Sequence, residues 1–143
     1  MASSRTVSVS RLIAASPSRI FDLLADPRQH AQLDGSGSVS SVKHAPARLA
    51  LGSTFSMQMK MGLGYVTRNR VVEFEEDRRI AWHHFAQFVW RYELEEVNGA
   101  TLVTESFDYD RPWAFAIIAF GFPERNRKAM EATLQRLESI VTA

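Results

Sequence analysis

The sequence predicts an α+β fold: a curved antiparallel sheet of seven strands wrapped around one long C-terminal helix, with two short helices between the first and second strands. Three observations predict it. After Pro123, Met130, Leu134, Leu137 and Val141 recur at helical spacing and form one apolar stripe, with Glu131, Arg136 and Glu138 largely off it. Most of the chain before that stripe alternates apolar and polar residues, as half-buried strands do. Two Pro-led helix starts, Ser16-Pro17 and Asp26-Pro27, interrupt the strands early. A helix with a single apolar stripe needs a surface to lie on, and a curved sheet supplies one.

Each element carries its own signal. Residues 6–13 set Val7, Val9 and Arg11 against Ser8, Ser10 and Leu12, a strand with one buried face in its first half. Ser16 caps the first helix and Pro17 is preset for its first turn; Ile20, Phe21 and Leu24 give it an apolar face as far as Ala25. The second short helix runs from Pro27 to about Leu33 and ends in Asp34-Gly35-Ser36-Gly37. Residues 38–44 form a second strand, which Pro46 marks as an edge. Residues 53–61 place Phe55, Met57, Met59 and Met61 on one face and Thr54, Ser56, Gln58 and Lys60 on the other. Gly62-Leu63-Gly64 turns the chain into a strand over residues 65–75, and the charged turn Glu76-Asp77-Arg78-Arg79 leads to a fifth strand over 80–85. In the sixth, over 88–97, Phe88, Trp90, Tyr92 and Leu94 share a face.

Two turns set the register. A three-residue turn pairs Met61 with Tyr65, Met59 with Thr67, Met57 with Asn69 and Phe55 with Val71; a two-residue turn would instead bury Arg68 and Arg70 unpaired, which is costly. Asn98-Gly99 is a strong signal for a type I′ hairpin, because both residues tolerate positive φ. It pairs Val97 with Ala100, Leu94 with Val103, Tyr92 with Glu105 and Trp90 with Phe107, and so sets a carboxylate on an apolar face. Residues 113–122 read as a short, almost wholly apolar helix interrupted by Gly121 and Pro123, with the long helix starting at Pro123-Glu124.

Composition narrows the function classes. A chain of 143 residues, 45% apolar and 23% charged, suits a single domain over residues 1–143. Its formal charge of +1 and scattered arginines form no basic stripe for a phosphate backbone, so nucleic acid is not an expected partner. Without cysteine there is no disulfide, thiolate metal site or cysteine nucleophile. The polar first residues and the ten-residue limit of the apolar run at 113–122 predict neither a signal peptide nor stable membrane insertion, and a cytoplasmic protein is expected.

Strand, two short helices, six strands and a long helix is the order of the helix-grip fold. Ile13-Ala14-Ala15-Ser16-Pro17, Ile20-Phe21-Asp22-Leu23-Leu24-Ala25-Asp26-Pro27 and Asn98-Gly99-Ala100-Thr101-Leu102-Val103-Thr104 resemble the polyketide cyclase/dehydrase and lipid-transport superfamily, also called START-like or SRPBCC. Within it, His30-Ala31-Gln32-Leu33-Asp34-Gly35-Ser36-Gly37 and Pro123-Glu124-Arg125-Asn126-Arg127 resemble an actinobacterial subgroup of uncharacterised members. The resemblance implies an apolar cavity between sheet and long helix that holds a hydrophobic small molecule. It does not choose among binding, transport, cyclisation and hydrolysis.

The residues supply a lining for such a cavity: Phe55, Met57, Met59, Trp90, Tyr92 and Phe107 from strands, and Met130 and Leu134 from the helix. Methionine suits an adaptable pocket, although each of these residues singly can also be core. Thr67 and Asn69 face inward and can orient a ligand or bond each other. Glu105 has two readings: a carboxyl of raised pKa serving as acid or hydrogen-bond donor with Tyr92, or a structural pair with Asn126 or Arg127 on the helix, the latter being favoured. One of His83 and His84 faces inward, and the pair is poorly placed to share a metal; His30 and Asp34, an i, i+4 pair, can meet at the cavity mouth or make a surface contact, the latter being favoured. No cofactor or metal is expected. Gly62-Leu63-Gly64 lacks the helix and lysine of a phosphate loop, and Ser36 and Ser38 have no base at motif spacing. The leading expectation is ligand binding, its rival a cyclase or dehydratase using Glu105. Trp113 and Phe120 are expected to gate the cavity, or residues 113–122 to form a homodimer patch.

Overall fold

A computed structural model describes residues 5–35, 39–60, 64–83 and 87–143. Strands β1 (Thr6–Ile13), β2 (Val39–His44), β3 (Thr54–Met59), β4 (Tyr65–Glu75), β5 (Arg79–His83), β6 (Val89–Val97) and β7 (Ala100–Asp108) form one antiparallel sheet in the order β1-β7-β6-β5-β4-β3-β2. The second strand is an edge, as Pro46 just beyond it predicts. Between β1 and β2 lie helix α1 (Pro17–Leu24), a 3₁₀ turn (Pro27–Gln29) and helix α2 (His30–Leu33). The two starts behave as their residues dictate: Ser16 Oγ accepts from the Arg19 amide at 3.3 Å and Asp26 Oδ1 from that of Arg28 at 3.0 Å.

The β6–β7 hairpin has the expected register, from Val97 opposite Ala100 to Trp90 opposite Phe107. Asn98 and Gly99 have φ of 51° and 85°, close to a type I′ turn. The β3–β4 register differs by two residues. Met59 lies opposite Tyr65, Met57 opposite Thr67 and Phe55 opposite Asn69. A slip of two preserves both faces, because side chains alternate with period two. Arg68 and Arg70 accordingly stand opposite Ser56 and Thr54, off the methionine face. Met61 lies outside the described residues, as does His84.

Helices α3 (Phe115–Ala119) and α4 (Phe122–Val141) complete the chain. Gly121 at φ 73° turns one into the other, a left-handed conformation in which glycine carries no Cβ penalty. Pro123 sits in the first turn of α4, where its missing N–H costs nothing. The stripe Met130, Leu134, Leu137 and Val141 is buried. Helix α4 rests chiefly on β1 and β7, and Arg11 of β1 reaches Glu138 at 2.8 Å. A second clasp joins it to the end of α2. Gly35 lies so close to the α4 backbone that an added Cβ would stand 2.3 Å from the Ala129 carbonyl oxygen, and its amide donates to Thr133 Oγ1 at 2.8 Å. Among the described residues no helix is long and apolar enough to cross a membrane.

Candidate functional site

The helix touches one side of the sheet and stands away from the other, and a cavity of about 640 Å³ fills the difference. Strands β3 and β4 contribute Phe55, Met57, Met59, Thr67 and Asn69; Trp82 comes from β5, Trp90 and Tyr92 from β6, and Glu105 and Phe107 from β7. On α4 the wall consists of Phe122, Asn126, Ala129 and Thr133, with Arg125 and Lys128 beside them. That stripe is turned by one residue, about 100°, from the packing stripe. The structure thus brings together the strand residues named from sequence, and Asn126, but not Met130 or Leu134. Leu134 belongs to the main core, and Met130 packs with Phe88, Phe107 and Ala114.

Glu105 is 1% exposed and has no basic partner among the described residues. The structural pair with Arg127 is overturned: Arg127 lies on the outer side of α4, paired with Glu124 and Glu131. Asn126 shares the cavity wall with Glu105, but no hydrogen bond joins them. The carboxyl is held instead by Trp90, whose indole Nε1–H donates to Oε2 at 2.6 Å. Among the described residues Oε1 has no partner in strict hydrogen-bond geometry, although the Tyr92 phenol stands close enough to the carboxyl to favour its charged form as a hydrogen-bond donor does. Burial pushes the Glu105 pKa up to about 8, with Asp34 adding to the rise, while Trp90 and Tyr92 oppose it by favouring the charged form. At neutral pH Glu105 is therefore mostly a neutral acid. Burial and the adjoining Glu105 likewise raise the Tyr92 phenol, which stays protonated.

On the far side of the cavity, the polar side chains of β4 are engaged with their neighbours. Asn69 Nδ2 donates to the Phe55 carbonyl at 3.3 Å and to Thr67 Oγ1 at 3.4 Å, so part of its capacity is spent on holding β3 to β4.

His30 is no surface contact. Its ring stacks on Trp82, with centroids 5.1 Å apart, meets Phe55 edge-on, and lines the cavity. Its Nε2 bonds the Leu24 carbonyl at 3.0 Å; a carbonyl only accepts, so Nε2 carries the proton and Nδ1 is bare. Burial lowers its pKa, leaving the ring neutral. Asp34 also lines the cavity, but its Oδ2 accepts from the Val39 amide at 2.9 Å. Trp82 points inward from β5, so His83 points outward by alternation.

The gate residues differ from those expected. Trp113 and Phe120 are 43% and 74% exposed and do not line the cavity; Ile117 and Phe122 do. Helical spacing explains the exchange, since Ala114 and Ile117 face inward from the α3 segment while Phe115 and Ile118 face out. Sequence reasoning missed Trp82 and Thr133, and for His30 and Asp34 it favoured the surface over the cavity. Trp82 was accessible through its i, i+2 relation to Ile80, whereas His30 depends on the 3₁₀ turn that rotates α2, which no local pattern encodes.

A model of the family described as polyketide cyclase / dehydrase and lipid transport matches residues 4–142. The chain belongs to this family. Among curated proteins it is 39% identical over 138 residues to the uncharacterised protein Rv0088 of Mycobacterium tuberculosis, covering 92% of this chain and 62% of that one. This chain thus spans less than two thirds of the curated relatives it matches. Protein Ms6760 from Mycobacterium smegmatis shares the fold at a TM-score of 0.75, with 20% identity over 96% of this chain and 91% of that one. The Aha1 dimer from Colwellia psychrerythraea is similar at a TM-score of 0.68 and 15% identity, over 95% of each chain. At these identities the two structures speak to the fold alone.

Proposed function

We propose that this family member binds a hydrophobic small molecule, lipid-like or of an aromatic polyketide type, between the sheet and α4. The observation that carries this reading is the wall itself: methionines and aromatic rings around a space of about 640 Å³, inside the range of small-molecule sites, with few polar groups. The test is a screen of purified protein with fatty acids, sterols and aromatic polyketide-like compounds, read by thermal shift and native mass spectrometry. At least one stabilising ligand is expected; silence across all three classes overturns the reading. The absence of cysteine suits the reducing cytoplasm proposed as its compartment.

A second reading has its own observation. A neutral carboxyl beside a protonated phenol in a largely apolar cavity is equipped for acid catalysis, so a cyclase or dehydratase with Glu105 as acid or base and Tyr92 as partner is the alternative. Its test is Glu105→Gln, which should abolish turnover of a polyketide-like substrate while ligand binding survives.

A further inference from the structure

Burying a polar atom without a partner costs roughly 1–3 kcal/mol, so a native fold that keeps one in a cavity wall invites a use for it. Glu105 supplies such an atom. Oε2 is taken by the Trp90 indole, and no described group meets Oε1 in strict hydrogen-bonding geometry, the Tyr92 phenol standing beside the carboxyl just outside it. The carbonyl oxygen of a carboxylic acid is its better acceptor, so the indole bond assigns Oε2 that role and leaves the hydroxyl to Oε1. Around it stand apolar surfaces: Phe107 beside it along β7, Trp90 and Tyr92 across on β6, Phe55 and Met57 on the same wall.

We propose that Glu105 Oε1 is the polar anchor of the cavity, donating one hydrogen bond to an uncharged acceptor oxygen, a ketone or hydroxyl, on an otherwise apolar ligand. This deepens the binding reading and rests on it. The chemistry is selective in two directions. A ligand carboxylate placed at Oε1 would bury its charge against a carboxyl that no described cation pairs with, Arg125 and Lys128 standing on the α4 wall instead, whereas a pure hydrocarbon would offer the donor no acceptor. A neutral oxygen satisfies the donor without importing charge. The state of the anchor is set by its surroundings: Tyr92 from β6, Asp34 and His30 from the α2 region, and Arg125 and Lys128 from α4 are the other titratable groups of the same cavity, Trp90, Thr67, Asn69, Asn126 and Thr133 its uncharged polar ones, and burial is the largest influence on the carboxyl.

The test uses two probes of nearly equal shape, acetylnaphthalene and ethylnaphthalene, titrated calorimetrically into wild type, Glu105→Gln and Glu105→Leu at about pH 6 and about pH 9.5, on either side of the carboxyl's titration. The readout is the ratio of the two affinities, which cancels their different partitioning from water. In wild type the ketone's advantage should fall about tenfold between the two pH values, the size of one lost hydrogen bond. Glu105→Gln, whose amide donates without titrating, should hold the advantage at both. Glu105→Leu should lack it at both. A ratio that is the same in all three proteins and at both pH values overturns the anchor while leaving the cavity an apolar ligand site. Failure of both probes to bind any variant overturns the cavity reading and the anchor with it.

Discussion

Trp90 holds Glu105 across the β6–β7 ladder: the indole Nε1 reaches Oε2 at 2.6 Å, although the residue directly opposite Glu105 is Tyr92. The bond is diagonal, within the reach of a long aromatic side chain. It favours the ionised carboxylate more than the neutral acid, since hydrogen bonds to charged groups are the stronger kind. Trp90→Phe should therefore raise the Glu105 pKa further above about 8, by roughly one unit, while the apolar wall persists. A carboxyl carbon NMR titration of both proteins measures the shift; an unchanged or lower value would show that the indole does not hold the acid.

The same carboxyl makes stability depend on pH. Its folded pKa of about 8 exceeds the ordinary value of 4.5, so the folded state keeps a proton that the unfolded chain loses. That contribution is fully present below about pH 4.5 and is lost as pH rises through about 8. Glu105→Gln should flatten the decline, with on the order of a few kcal/mol less stability lost across the window, read from urea unfolding at several pH values. A decline as steep in Glu105→Gln as in wild type would rule Glu105 out as its source.

Core and cavity wall should answer differently to mutation. Leu134→Ala removes a core side chain and should cost about 2–5 kcal/mol. Met59→Ala, on the partly covered cavity wall, should cost less than about 1.5 kcal/mol and alter ligand affinity instead. Denaturant midpoints together with ligand titrations separate the two; equal stability losses would mean that the cavity wall is packed as core.

At Gly35 a single methyl group should be disruptive. An added Cβ meets the Ala129 oxygen at 2.3 Å and the Thr133 amide nitrogen at 2.6 Å, which are backbone atoms that cannot swing aside. Gly35→Ala should lower the melting temperature by several degrees, as about 1–3 kcal/mol of overpacking does in a domain of this size. It should also weaken ligand binding, because Gly35 lines the cavity. Wild-type melting would show that the clasp opens freely.

The outer side of α3 bears on assembly. Phe115 and Phe120 are 70% and 74% exposed, with Trp113 and Ile118 also uncovered. Burying this patch against a second copy is the proposed route to a homodimer, and Phe115→Ser with Phe120→Ser should convert a dimer to a monomer in size-exclusion chromatography with light scattering. A wild-type protein that is monomeric at every concentration tested removes the proposal.

The strands and the lid were legible because period-two and period-3.6 patterns are local. Asn98-Gly99 carried the β6–β7 register and with it the burial of Glu105. The β3–β4 register was not legible, since Gly62 and Gly64 permit several link lengths and a slip of two leaves every face unchanged. The favoured partner of Glu105 was misjudged for a related reason. Arg127 is near Met130 in sequence, but a helix turns about 100° per residue, so near neighbours can point to opposite sides. His30 was assigned to the surface rather than the cavity because its place depends on tertiary contacts with Trp82 and Phe55.

One helix meets two demands by dividing its circumference. Met130, Leu134, Leu137 and Val141 anchor it, while Asn126, Ala129 and Thr133, one residue out of phase with the first two anchors, look into the cavity. Lineages that diverge in what they carry can therefore substitute along one longitude of the helix and inherit the other intact, so that chemical taste drifts faster than architecture.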